Sequence, residues 1–196
     1  MKRARVGWLI VTGLWGCASQ GSAVLPLPDV RQSTSYTCGA AALLSVLAYF
    51  GEEQREDRLA FRLGATEDKG VNPEAILRVA REYGLTAELR EGMKVEDLEV
   101  AVRNGSPVIV ALQAWVDQPT DFGNDWDDGH YAVVVGVDGN EVIFEDPSVL
   151  GSHAVLSRTE LERRWHDTDG VKMYRNMGIV VGGRAPKPPP ARIHMD

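Results

Sequence analysis

The sequence predicts an α+β fold, an N-terminal helical part packed on a C-terminal antiparallel sheet, and three observations lead there. Between Cys38 and Asn104 apolar residues recur at helical spacing, with one short extended stretch among them. After Pro107 the period changes to that of strands, which follow one another through turns rather than alternating with helices. The chain has 196 residues, 44% hydrophobic and 25% charged, the composition of one globular domain with a substantial core.

The elements follow in order. Cys38 to Phe50 (CGAAALLSVLAYF) is apolar almost all round, so it reads as a buried helix, closed by Gly51. Glu53 to Leu63 is a charged helix that buries Leu59, Ala60 and Leu63. Asn72-Pro73-Glu74 combines a capping side chain, a proline in the first turn and an acid beside it. It starts a helix that runs to Tyr83 with Ile76, Leu77, Val79 and Ala80 inward. Leu85 to Leu89 is a short strand and Lys94 to Asn104 a helix ended by Gly105. Val108 to Trp115 is apolar and β-prone, and an acidic loop runs from Val116 to Gly129. His130 to Val137 and Glu141 to Asp146 form a hairpin around Asp138-Gly139-Asn140. Ser157 to Trp165 reads as a helix and Met173 to Val181 as a last strand.

Residues 1–23 read as a targeting segment. Lys2, Arg3 and Arg5 precede an apolar run, Val6 to Leu14, that is shorter than the ~20 residues needed to span a bilayer. Leu14-Trp15-Gly16-Cys17 resembles a lipobox, in which cleavage before Cys17 leaves it as the lipidated first residue. Cleavage after Gly21-Ser22-Ala23 and an uncleaved anchor are the alternatives. The expected protein is exported to the cell envelope and held at the membrane by a lipid, facing the periplasm or the outside. Residues 24–29 then form a tether, 30–181 the catalytic domain and 182–196 a disordered proline-rich tail. The net charge of −7 argues against nucleic acid as partner. The carboxylates of the 116–129 loop do not match a calcium-loop pattern, so neither a metal nor a cofactor is expected.

Cys38 is the cysteine inside the folded part. An exported protein with a lone thiol is unusual, because exported cysteines generally pair. A Cys17–Cys38 disulfide would tie the signal segment to a core helix. At the start of a helix, Cys38 meets the positive end of the dipole and free N–H groups, the setting of a nucleophilic thiolate. Taken alone, an inert buried cysteine is the better explanation. A cysteine nucleophile needs a base, and four histidines exist. His153, His166 and His194 read as solvated; His130 opens a strand beside the acidic loop, where functional side chains concentrate. The histidine needs an acid at its other ring nitrogen, and Asp146 ends the partner strand. Alternatively, Asp146 is a turn-forming residue before Pro147.

Side-chain alternation tests the pair. A three-residue loop at 138–140 sets Val137 opposite Glu141 and Asp146 opposite Ala132. His130 and Asp146 are then diagonal neighbours on one face, ~7–8 Å apart at the backbone. A two-residue turn puts them on opposite faces unless a bulge restores parity. The expectation is therefore the three-residue loop or such a bulge. Gln32, six residues before Cys38, could donate with the Cys38 N–H to a developing oxyanion.

Gln32 followed by Cys38-Gly39 and a small apolar helix resembles the first motif of the bacteriocin-processing (double-glycine leader) cysteine peptidases. Gly129-His130-Tyr131-Ala132-Val133-Val134-Val135-Gly136, then Phe144-Glu145-Asp146-Pro147, resembles their second. The resemblance covers about Val30 to Val181. It implies a papain-like fold and a thiol peptidase with Cys38 as nucleophile, His130 as base, Asp146 as orienter and Gln32 in the oxyanion hole. It also implies a polypeptide substrate. The export signal, with no transporter domains following, points to a stand-alone peptidase of the cell envelope. A non-catalytic papain-like scaffold lipoprotein and an acyl or amide transferase on the same triad are the alternatives.

Overall fold

The computed structural model describes residues 24–187. Cys17, the rest of the targeting segment and His194 lie outside them. Among the described residues, five helices precede or interrupt eight strands: α1 (Cys38–Tyr49), α2 (Glu56–Leu63), α3 (Pro73–Glu82), β1 (Thr86–Arg90), α4 (Val95–Arg103), β2 (Val108–Gln113), β3 (Gly129–Asp138), β4 (Glu141–Glu145), β5 (Ala154–Ser157), α5 (Arg158–Arg164), β6 (His166–Thr168), β7 (Met173–Arg175) and β8 (Gly178–Gly182). Six strands form one antiparallel sheet in the order β1-β8-β2-β3-β4-β5, and β6 pairs with β7 alone. The helical half lies against this sheet, with α1 and α4 on β3 and α3 on β1. This is the α+β layout expected from the sequence.

The local chemistry accounts for the elements. Asn72 Oδ1 accepts the Glu74 N–H and Pro73 opens α3; Gly64 ends α2 in the left-handed conformation. Every residue of β2 is buried, as are the eight interior residues of β3, because layers cover both faces of the sheet centre. Gly39 is a close-approach residue: a Cβ there would lie 2.9 Å from Val71 Cβ and 3.1 Å from Tyr131 Cδ2. Its bare backbone lets the start of α1 settle on β3.

The β3–β4 hairpin departs from the three-residue loop. Asp138 pairs with Glu141, so Gly139 and Asn140 form a two-residue turn. The register then shifts between Val134 and Gly136, where Val135 is extruded as a bulge, and Val133 pairs with Glu145. The bulge supplies the parity that the turn does not.

Other expectations are corrected. Helix α2 begins at Glu56 rather than Glu53. The last strand divides into β7 and β8, and β5 and β6 are additional. The segment read as a tether is packed: Leu25 and Leu27 are buried, and the Leu25 N–H donates to Val135 O at 2.8 Å. The tail read as disordered from Gly182 is docked as far as Lys187, whose N–H donates to Tyr49 O, while Arg184 pairs with Glu52. His166 is buried rather than solvated. Its Nε2 is 2.7 Å from Asp125 O and its ring lies 4.4 Å from that of Trp126, because the acidic loop folds back over it.

Candidate active site

The lead-in to α1 fixes the cysteine end. Thr37 folds its hydroxyl back onto Thr34 O instead of capping the helix, so no side chain covers the first turn at Cys38. Cys38 is a free, buried thiol at the N-terminus of α1. Its thiol lies beside the imidazole of His130 on β3. His130 Nε2 is 2.9 Å from Asp146 Oδ1, which leaves Nδ1 as the ring nitrogen for the thiol. The side chains of His130 and Asp146 are 7% and 6% exposed. Cys38, His130 and Asp146 thus form one buried cluster, brought together from the first helix and from both arms of a hairpin about a hundred residues later.

The carboxylate of Asp146 is held by three donors. Oδ1 accepts from His130 and from the Ser148 N–H at 2.8 Å, and Oδ2 accepts from Trp115 Nε1 at 3.1 Å. Burial alone would raise this carboxyl, but the His130 bond and charge, then Ser148 and Trp115, bring it below its ordinary value. Burial likewise works against a protonated His130. The Asp146 bond first, and the Cys38 thiol second, outweigh it and push His130 up to about 9. Neighbouring Glu145 is raised to about 7 by burial, against the Val30 N–H that it accepts.

Gln32 is half-buried at the same end. Its backbone N–H donates to Pro147 O at 3.0 Å, and its Oε1 receives the Ser148 hydroxyl at 3.5 Å. One amide proton of Nε2 goes to Thr34 O at 2.8 Å. Gln32 therefore sits beside the Asp146-Pro147-Ser148 turn, with its second amide proton uncommitted to Thr34. His153 is exposed, as read from the sequence.

A cleft of about 490 Å³ opens from Cys38, with Tyr36, Gly129 and Tyr131 in its wall. Glu67, Asp68, Asp127, Asp167 and Asp169 line it against the single cation Lys69, so its floor is strongly acidic. Gly129 is needed next to His130, since a Cβ there would fall 2.3 Å from Asp167 Oδ1. Burial raises Asp167 to about 6. Buried Gln113 pins the loop behind the cleft, donating to His166 O and accepting the Asp128 N–H. Trp115 and Ser148 were not foreseen; the Ser148 contact had a signal in Asp146-Pro147-Ser148, a turn in which an Asp side chain accepts the N–H two residues on.

Comparisons with known proteins agree with this architecture. Residues 24–173 match the model of the Peptidase_C39 like family. An uncharacterised protein of Methanothermobacter marburgensis is 31% identical over 120 residues, 61% of this chain and 71% of its own. One from Methanothermobacter thermautotrophicus is 32% identical over the same shares. A C39-like peptidase from Bacillus anthracis superposes with a TM-score of 0.66 at 20% identity, covering 84% of this chain and 98% of that one. A double glycine motif protease from an AMS/PCAT transporter, solved with its leader peptide, gives 0.60 at 20% identity over 85% and 96%. These superpositions establish the shared fold. Since the family match spans the helical half and most of the sheet, the chain belongs to the Peptidase_C39 like family and is, as its members are, a cysteine peptidase.

Proposed function

We propose that the protein hydrolyses peptide bonds of a polypeptide in the cell envelope, through Cys38, His130 and Asp146. The observation that carries this reading is the buried Cys38–His130–Asp146 cluster at the edge of an open cleft. Cys38 Sγ attacks the scissile carbonyl carbon as a thiolate, and His130 gives its proton to the leaving amine. Water then attacks the thioester, His130 takes one of its protons, and collapse releases the acid and the Cys38 thiolate, which restores the thiolate–imidazolium pair. Asp146 keeps the imidazole aimed and balances its charge. The oxyanion is met by the Cys38 N–H and by the second amide proton of Gln32. A polypeptide substrate is supported by the leader peptide bound to the AMS/PCAT protease.

The test is alkylation by iodoacetamide at pH 6, where an ordinary thiol is mostly protonated. Cys38 is expected to label at least tenfold faster than free cysteine, and His130→Ala to abolish the advantage. A Cys38 no more reactive than free cysteine overturns the catalytic reading. A peptide library screened with the wild type against Cys38→Ala identifies the scissile bond.

The place of action rests on the basic, apolar and Leu14-Trp15-Gly16-Cys17 segments at the N-terminus. Cys17 is proposed as the lipidated residue that holds the enzyme at the membrane. Metabolic labelling with a tagged fatty acid should mark the wild type and not Cys17→Ser; equal labelling of the two would discard the anchor.

A further inference from the structure

Trp115 lies two residues past the end of β2 and breaks two habits of its residue type. Its backbone φ is +61°, a left-handed conformation that bulky side chains rarely adopt and that persists only where the surroundings enforce it. The residue is more than half exposed, at 55%, although large aromatics generally bury. Both oddities serve one contact. The neighbouring Ala114 N–H is tied to Asp128 O at 3.1 Å, and the turn at Trp115 swings the indole back so that Nε1–H donates to Asp146 Oδ2. Among the described residues this is the hydrogen bond recorded for Oδ2, while Oδ1 faces His130 and Ser148.

We propose that Trp115 is a positioning residue of the catalytic site: its indole N–H fixes the rotation of the Asp146 carboxylate, so that Oδ1 stays aimed at His130. The inference rests on the triad reading above and goes beyond it. Without the Oδ2 donor the carboxylate can turn about its Cβ–Cγ bond toward solvent, and His130 loses the partner that keeps it charged and oriented. The indole is also the outer layer at this point, since Asp146 beneath it is 6% exposed.

The experiment measures the iodoacetamide rate of Cys38 against pH in the wild type, Trp115→Phe, Asp146→Ala and the double variant. Trp115→Phe retains the ring and removes the donor, and circular dichroism checks that each variant is folded. Trp115→Phe is expected to slow alkylation at pH 6 by about tenfold. At pH 10, where thiols ionise without help, the two should be equal. In the Asp146→Ala background the same substitution should change the pH 6 rate by less than about twofold, the signature of two residues acting through one contact. A wild-type rate at pH 6 in Trp115→Phe overturns the proposal. So does an undiminished effect of the substitution when Asp146 is already alanine, which would assign Trp115 a role of its own. If Asp146→Ala itself leaves the pH 6 rate unchanged while Cys38 stays hyper-reactive, the triad reading fails at Asp146 and takes the proposal with it.

Discussion

Replacing His130 with alanine lowers kcat for peptide cleavage by about 10³- to 10⁴-fold, the largest functional effect expected of any substitution that spares Cys38. The reason lies in the buried cluster. His130 lies beside the Cys38 thiol and is bonded to Asp146, and in the proposed mechanism it serves in both half-reactions, first as acid and then as base. The pH profile gives a second handle. Asp146, and then the Cys38 thiol, hold the His130 imidazolium up to about 9 against the opposing effect of burial. The wild type should therefore keep its kcat/KM until the pH approaches about 9 and lose it above. Asp146→Ala should bring that alkaline limb down toward the ordinary histidine value of ~6.5. Stability carries the same sign. Because the folded value lies above the unfolded one, the protonated His130 contributes in full below pH ~6.5 and the contribution fades as the pH rises through about 9. The lowered Asp146 contributes above the ordinary carboxyl range and fades on acidification. An alkaline limb that stays in place in Asp146→Ala would contradict this account.

Trp165→Ala should be among the most destabilising single changes, at about 3–5 kcal/mol. Trp165 is 1% exposed and caps α5 where the chain turns into β6. Its indole N–H donates to Met177 O at 2.8 Å, and its own carbonyl accepts the Asn176 N–H at 2.8 Å. Alanine leaves a cavity the size of an indole and a buried carbonyl without its donor. That is a large share of the roughly 5–15 kcal/mol by which a domain is stable, and the melting temperature should fall by roughly 6–20 °C. Trp165→Phe fills most of the volume and isolates the lost hydrogen bond, at about 1–3 kcal/mol. Urea titration followed by circular dichroism measures both; a loss under about 1 kcal/mol for Trp165→Ala would show that the core closes over the gap.

The elements with strong local punctuation were legible in the sequence. Asn72-Pro73 starts α3, Gly64 ends α2, and the apolar run from Cys38 is the buried α1. The half-sites at Cys38 and on the hairpin were legible too, because their chemistry is uncommon and their spacing is ordered. The route by which the hairpin meets its parity was not. A bulge at Val135 depends on what surrounds the strand, and a run of valines carries no mark of which one is extruded. Strands β6 and β7 have three residues each, too few to show alternation. His166 looked solvated because the groups that bury it, Asp125 and Trp126, lie forty residues away. Trp115 was invisible for a similar reason: its contact with Asp146 comes from one left-handed residue, which nothing in the surrounding letters announces.

The bulge has a consequence for where a shortened chain can begin. The carbonyl of Val135, released from the ladder, is taken up by the Leu25 N–H, and Val24 Cγ2 lies 3.2 Å from where a Cβ on Gly136 would be. Two residues after Leu25, Leu27 enters the core, and Val30 reaches Glu145, the residue before Asp146. The stretch from Val24 to Val30 is therefore a clasp on the hairpin. An expression fragment started at Val30 would retain Gln32, Cys38, His130 and Asp146 and still release the hairpin that aims two of them. Any shortened version of the enzyme is best begun at or before Val24.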